Sequence, residues 1–244
     1  MANRLQIVCA WAGPVMVVVA FIGWLISGVL PIPPAANDSP AEVVAFYGEH
    51  PTAVRAGLLL AAIGVSFVAP LCAVISVQML RMEGAVPILS FLQLLLGAVT
   101  AVMLLVPMLF LNIAAFRPDR NPELTVMLND AAWLMFLTPI APFILQNVVI
   151  GYAVLEDRTA RGVFPRWVGF ANLWIGFMFV PACLAYFFTS GPFAWHGIFV
   201  FWFGLTFYAV WAFLMWWAVR QAVRKQIATE RTVVTKVEPE VVST

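Results

Sequence analysis

Six long apolar runs, at residues of about 9–30, 56–80, 86–113, 130–154, 167–188 and 197–219, govern what this chain can fold into. Crossing a hydrocarbon core of about 30 Å takes about 20 apolar residues in helical form, and each run supplies them. Lipid offers backbone N–H and C=O groups no partner, so a spanning segment is either a helix or one strand of a closed barrel. These runs are too long and too continuously apolar for the alternating strands of a barrel. The sequence therefore predicts an all-α integral membrane protein, a bundle of six transmembrane helices over residues 1–226 followed by a mobile tail at 227–244. Composition agrees: 63% of residues are hydrophobic, 10% are charged, and the mean hydropathy is +0.96, outside the balance of soluble domains.

Six crossings bring both termini to one side, and the distribution of bases says which. Arg4, Arg81, Arg158, Arg161, Arg166, Arg220, Arg224, Lys225, Arg231 and Lys236 flank the termini and the even-numbered loops, whereas Arg55, Arg117 and Arg120 lie on the other side. Bases accumulate on the cytoplasmic side of short loops, so both termini are predicted cytoplasmic, in a cell membrane. The first run is too long for a signal peptide and is read as a retained span. The bases form no dense stripe, which argues against nucleic acid as a partner. Cys9, Cys72 and Cys183 all fall at or within spans, and no disulfide is expected.

The loop at 31–55 carries its own helix signature. Ser39 can cap, Pro40 suits the first helical position, Glu42 completes a capping box, and Gly48 suits the stop. Val43, Val44, Phe46 and Tyr47 give this short helix an apolar side, so it is expected to lie at the outer interface as a lid. Within the spans, small and polar residues at helical spacing mark faces for helix packing. They are Ser90, Gln93, Gly97, Thr100 and Pro107 in span three; Gly169, Asn172, Gly176, Cys183 and Tyr186 in span five; and Ala62, Ser66, Ala69, Ala73 and Ser76 in span two. Pro14, Pro70, Pro107, Pro139, Pro142 and Pro181 each remove a backbone donor and can kink their helices, opening the bundle locally.

Motifs for nucleotide binding, metalloprotease or serine-hydrolase chemistry are absent, and the chain has two histidines, too few for a histidine-rich metal centre. No metal or cofactor is expected. Polar residues gather on the outer side: Glu42, Glu49, Arg55, Arg117, Asp119, Arg120 and Glu123 form a predicted crown near His50 and His196. Asp130 stands apart. Asn121, Pro122 and Glu123 mark a helix start, which places Asp130 eight residues inside, about 12 Å down the helix at 1.5 Å per residue. A carboxylate at that depth is either paired, here with Arg117, Arg120 or Arg55, or functional. Of 34 aromatic residues, 21 lie between Phe164 and Trp217.

These residues support three readings. The leading one is a polytopic membrane protein that binds or passes a small apolar ligand, with Gln93, Thr100, Asn172, Trp174, Trp202 and Tyr208 as lining residues, or that packs on a protein partner through spans five and six. The second is a membrane-embedded enzyme on a lipid-soluble substrate, with Asp130 as acid or base assisted by His50 or His196. The third is an ion-coupled transporter with Asp130 as the coupling group, which a lone deep carboxylate and the lack of inverted repeats disfavour.

Overall fold

The computed structural model describes residues 2–117, 119–138, 140–159 and 162–241. Pro139 and Arg161, named above, lie outside these residues, as do the side chains of Arg231 and Lys236. The described chain is helical, without strands. Its elements are α1 (Ala2–Ile26), α2 (Pro40–Gly48), α3 (Pro51–Ser66), α4 (Val68–Met79), α5 (Ile88–Phe116), α6 (Pro122–Leu137), α7 (Ala141–Glu156), α8 (Arg166–Met178), a 3-10 stretch (Val180–Phe187), a π turn (Ile198–Trp202) and α9 (Phe203–Val241). Six helical segments among the described residues are long and apolar enough to cross a membrane: Asn3–Ile26, Pro51–Met79, Ile88–Phe116, Pro122–Glu156, Arg166–Phe187 and Ile198–Glu230.

Consecutive segments pack side by side, and α9 returns to contact both α8 and α1, closing a ring. Polar ends make some segments longer than their apolar runs: α6 begins at Pro122, capped by Asn121, whose side chain accepts from the Glu123 N–H at 3.0 Å. At the other end of the ring α9 continues past Ile227 as helix, and Asn3 Nδ2 donates to Glu230 Oε2 at 2.9 Å.

Three of the six segments are broken, each a few residues before a proline. The second breaks at Phe67 ahead of Pro70, the fourth between Leu137, where α6 ends, and Ala141, where α7 begins ahead of Pro142, and the fifth at Phe179 ahead of Pro181. Proline has no N–H for the carbonyl four residues back, and the chain compensates with tighter turns: the Phe179 N–H reaches Gly176 O and Phe177 O, and the Ile140 N–H reaches Thr138 O at 2.7 Å. Pro14 and Pro107 sit inside unbroken helices.

These breaks decide which expected packing faces hold. In unbroken α5 all five residues, Ser90, Gln93, Gly97, Thr100 and Pro107, are buried. In the second segment Ala62 and Ser76 are buried as expected, but Ser66, Ala69 and Ala73 are exposed, and the buried stripe runs through Leu58, Ala61, Val65, Val68, Leu71 and Ile75. In the fifth, Gly169, Asn172 and Gly176 are buried but Cys183 and Tyr186 are exposed, because a 3-10 turn advances by three residues rather than 3.6 and rotates the face away.

The closest helix contact pairs α1 with α3 through small residues. A β-carbon on Gly57 would stand 2.4 Å from Gly23 O, and one on Gly23 would stand 2.5 Å from Ala61 N. Two hydrophobic cores result, one toward the termini around Leu71, Ile75, Ile150, Trp211 and Met215, the other toward the far end around Tyr47, Leu58, Leu111, Trp133 and Phe201. Leu104 and Ile140 pack against both.

Candidate functional site

Where the two cores meet, a cavity of about 90 Å³ opens between α1, α3, α5, α6, α7 and α9. Its wall takes Met16, Ala20 and Trp24 from α1, Val65 from α3, Thr100 and Leu104 from α5, and Leu137 and Ile140 at the fourth-segment break. Phe143 of α7, Phe179, Phe201, Gly204, Leu205 and Tyr208 also line it. Residues beside every helix break line this space. A helix that stops and restarts cannot fill the volume at its own break, so the position of the cavity follows from the prolines.

The wall is almost wholly hydrocarbon. Its polar exceptions are Thr100, whose Oγ1 donates to Gln146 Oε1 at 3.2 Å, and two side chains without a hydrogen-bond partner among the described residues: the Trp24 indole N–H and the Tyr208 hydroxyl. Trp24 is held by an edge contact with Phe136 (5.5 Å) and by stacking with Phe201 (6.1 Å), and Tyr208 packs on Phe143 (4.9 Å). Its volume of about 90 Å³ is room for a small apolar group or a few waters.

Of the six residues the sequence nominated for a ligand, the structure brings Thr100 and Tyr208 to the cavity. Gln93 is buried elsewhere, accepting the Ser76 hydroxyl. Asn172 accepts the Trp211 N–H at 3.2 Å and donates to Val168 O at 2.8 Å, locking α8 to α9. Trp174 is 58% exposed and Trp202 is also exposed, both on the outside of the bundle. Sequence reasoning overlooked Trp24, Gln146 and the phenylalanines Phe143 and Phe201. Gln146 and its fully buried neighbour Asn147 are adjacent polar residues in an apolar run, a signal that was open to view; the phenylalanines carried none.

At the far end, α2 forms as expected. Ser39 and Glu42 exchange the two bonds of a capping box, and the Ser39 N–H, then its hydroxyl, donating to the Glu42 carboxylate hold that carboxyl below its usual range. Val43 and Tyr47 are buried against α6. The Tyr47 hydroxyl donates to Asn129 Oδ1 at 2.9 Å, and Asn129 Nδ2 donates to Asp130 Oδ1 at 3.3 Å. Burial, and after it the charge of Asp130, push the Tyr47 phenol far above its ordinary range, so it remains a donor. No arginine forms an ion pair with Asp130 among the described residues, contrary to expectation.

The polar crown does not assemble into ion pairs either. Arg55 Nε donates to Pro51 O at 2.9 Å, and Arg117 lies over the Phe116 ring at 5.9 Å. Glu49, Asp119 and Glu123 are exposed, and Arg120 is half-buried. The ion pair found among the described residues, Glu156–Arg158 at 3.6 Å, is in the opposite loop. Exposed pairs gain only about 0–1 kcal/mol, too little to hold such a network against solvent. His50 precedes α3 without a side-chain cap. His196 accepts the Ala36 N–H on Nδ1 at 3.0 Å, beside a Trp195 N–H donated to Pro34 O at 2.9 Å. Burial lowers its pKa, against the opposing charge of Asp38. No hydrogen bond joins Asp130 to either histidine among the described residues, nor do three His, Cys, Asp or Glu residues cluster there as for a metal.

Comparison with protein-family models, with curated proteins and with solved structures gives no match for this chain.

Proposed function

We propose that this chain is a six-span integral membrane protein, both termini cytoplasmic, that binds a small uncharged apolar group in the cavity between its two cores. The observation that carries the reading is the cavity itself: a hydrocarbon-lined space walled by six helices, with the Trp24 N–H and Tyr208 hydroxyl unpartnered among the described residues in its wall. Native interiors leave few voids larger than a water molecule, so a void at the crossing of three helix breaks points to an occupant. The outer surface supports the membrane setting, with Leu5, Val8, Ile63, Phe91, Leu95, Val102, Phe170 and Phe177 all exposed. Exposed apolar side chains on α8 and the 3-10 stretch also leave room for a protein partner along the fifth span. Acid/base catalysis by Asp130 with His50 or His196, and ion coupling through Asp130, have no comparable geometry in their favour.

The test uses xenon, an apolar probe small enough for the space, read by xenon NMR on the purified protein. Gly204 lines the cavity, and a β-carbon there would come no closer than 3.9 Å to Phe179, so Gly204→Leu puts its side chain into the void without a backbone clash. Saturable xenon binding should be seen in the wild type and lost in Gly204→Leu, whose thermal stability stays equal or rises. Xenon binding that survives Gly204→Leu would overturn the assignment.

A further inference from the structure

The cavity is not closed on every side. Two of its wall residues, Phe21 on α1 and Ala209 on α9, also line an open groove of about 700 Å³ on the outer face of α9. The groove continues along Thr206, Val210, Phe213, Leu214 and Trp217, with Trp167 from α8 opposite. Phe21 and Ala209 are thus the partition between the enclosed space and the surface that faces lipid.

The depth of this groove is informative. Trp11 packs on Trp216 at 4.9 Å and Trp167 on Trp217 at 5.3 Å, so four tryptophans share one level at the termini end, as an interfacial belt does. Phe21 lies ten residues above Trp11, about 15 Å along the helix, and Ala209 lies eight residues above Trp217, about 12 Å. Half of a hydrocarbon core of about 30 Å is about 15 Å. The groove therefore spans one leaflet, from the interface to the midplane, where acyl chains end. Beyond Trp217 the same face of α9 carries exposed Arg224, seven residues and about 10 Å further. Arg220 stands between them, its guanidinium over the Trp216 and Trp11 rings at 4.8 and 5.1 Å. Arg224 has no ion-pair partner among the described residues.

We propose that the groove seats an anionic phospholipid of the leaflet on the termini side, its phosphate at Arg224, one acyl chain along α9, and the chain end passing between Phe21 and Ala209 into the cavity. This rests on the cavity being a ligand site, and it names the ligand and its route. The charge order fits: hydrocarbon wall, tryptophan belt, then cations. The position of Arg224 beyond the belt suits a phosphate in the headgroup layer better than a fatty-acid carboxylate, which lies at the belt.

The test places the full chain in phosphatidylcholine vesicles containing phosphatidylglycerol with a photoreactive diazirine at the acyl terminus, and maps the cross-links by mass spectrometry. Label is expected on the segment holding Met103 and Leu104, which line the cavity. Ala209→Trp, which plugs the opening, should remove that label while leaving label near Val210 and Phe213. Arg224→Gln, on an exposed side chain, should reduce cavity labelling by about 5-fold. The proposal is overturned if cavity residues stay unlabelled, if both variants label like the wild type, or if a fatty acid with the same diazirine labels the cavity as strongly as the phospholipid. Xenon binding in the same vesicles separates the two readings: xenon without cavity label removes only the lipid, whereas loss of both removes the ligand site.

Discussion

Tyr47 and Asn129 are 82 positions apart and meet through one buried hydrogen bond beneath α2. That bond, rather than an arginine, is what occupies the neighbourhood of Asp130, and it makes Asn129 the residue that ties the short helix to α6. His196 plays the matching role for the loop at 34–36, and its contact depends on protonation. To accept the Ala36 N–H, Nδ1 must carry no proton. Burial sets the folded pKa below the ordinary value of about 6.5. The unfolded chain therefore takes up a proton first as pH falls, so this contribution is present above about 6.5 and is lost as pH drops through the lower folded value. The protection of the Ala36 amide, its exchange rate relative to the intrinsic rate at each pH, should fall as pH drops below about 6.5. His196→Gln, whose side-chain oxygen can still accept, should flatten that dependence; unchanged acid loosening in the variant would assign it to another group.

Among the elements, α1 and α3 form the contact least tolerant of added volume. Gly57→Leu would drive its first carbon into the backbone of α1, where nothing can move aside cheaply. A loss of about 3 kcal/mol or more is expected, read as a lower melting temperature in detergent. Gly84, with nothing within 4 Å of a β-carbon, is the control, and Gly84→Leu should melt like the wild type. Equal melting of the two variants would show that the glycine contact is not limiting. This contact was hard to see in the sequence because Gly23, Gly57 and Gly64 stand singly in apolar runs and become a surface only when two helices meet. The α2 cap was legible because all its determinants lie within ten residues. The packing face of α5 was legible because its helix is unbroken; those of the second and fifth segments were legible only in part, since phase is lost at Phe67 and Phe179 and Ser66 already faces outward within α3. The cavity was the least legible feature, since its wall is ordinary apolar residues from seven stretches of chain.

For the whole molecule, the base asymmetry and the six apolar segments predict an orientation that can be checked directly. Asn37 and Ser190 are exposed in loops at the end away from the termini. A cysteine at either position, with Cys9, Cys72 and Cys183 replaced, should react with an impermeant thiol reagent applied to intact cells. Reaction only after the membrane is opened would invert the assignment. The ring of segments also has an uneven mechanical build. Each end is a continuous packed body, but the plane between them contains three interrupted helices, few residues common to both cores, and a void. A solid with such a plane yields there first, so compression along the membrane normal is taken up at mid-depth and not at the loops. α1, α5 and α9 run unbroken through that plane, so the yielding side is the one built from the second, fourth and fifth segments.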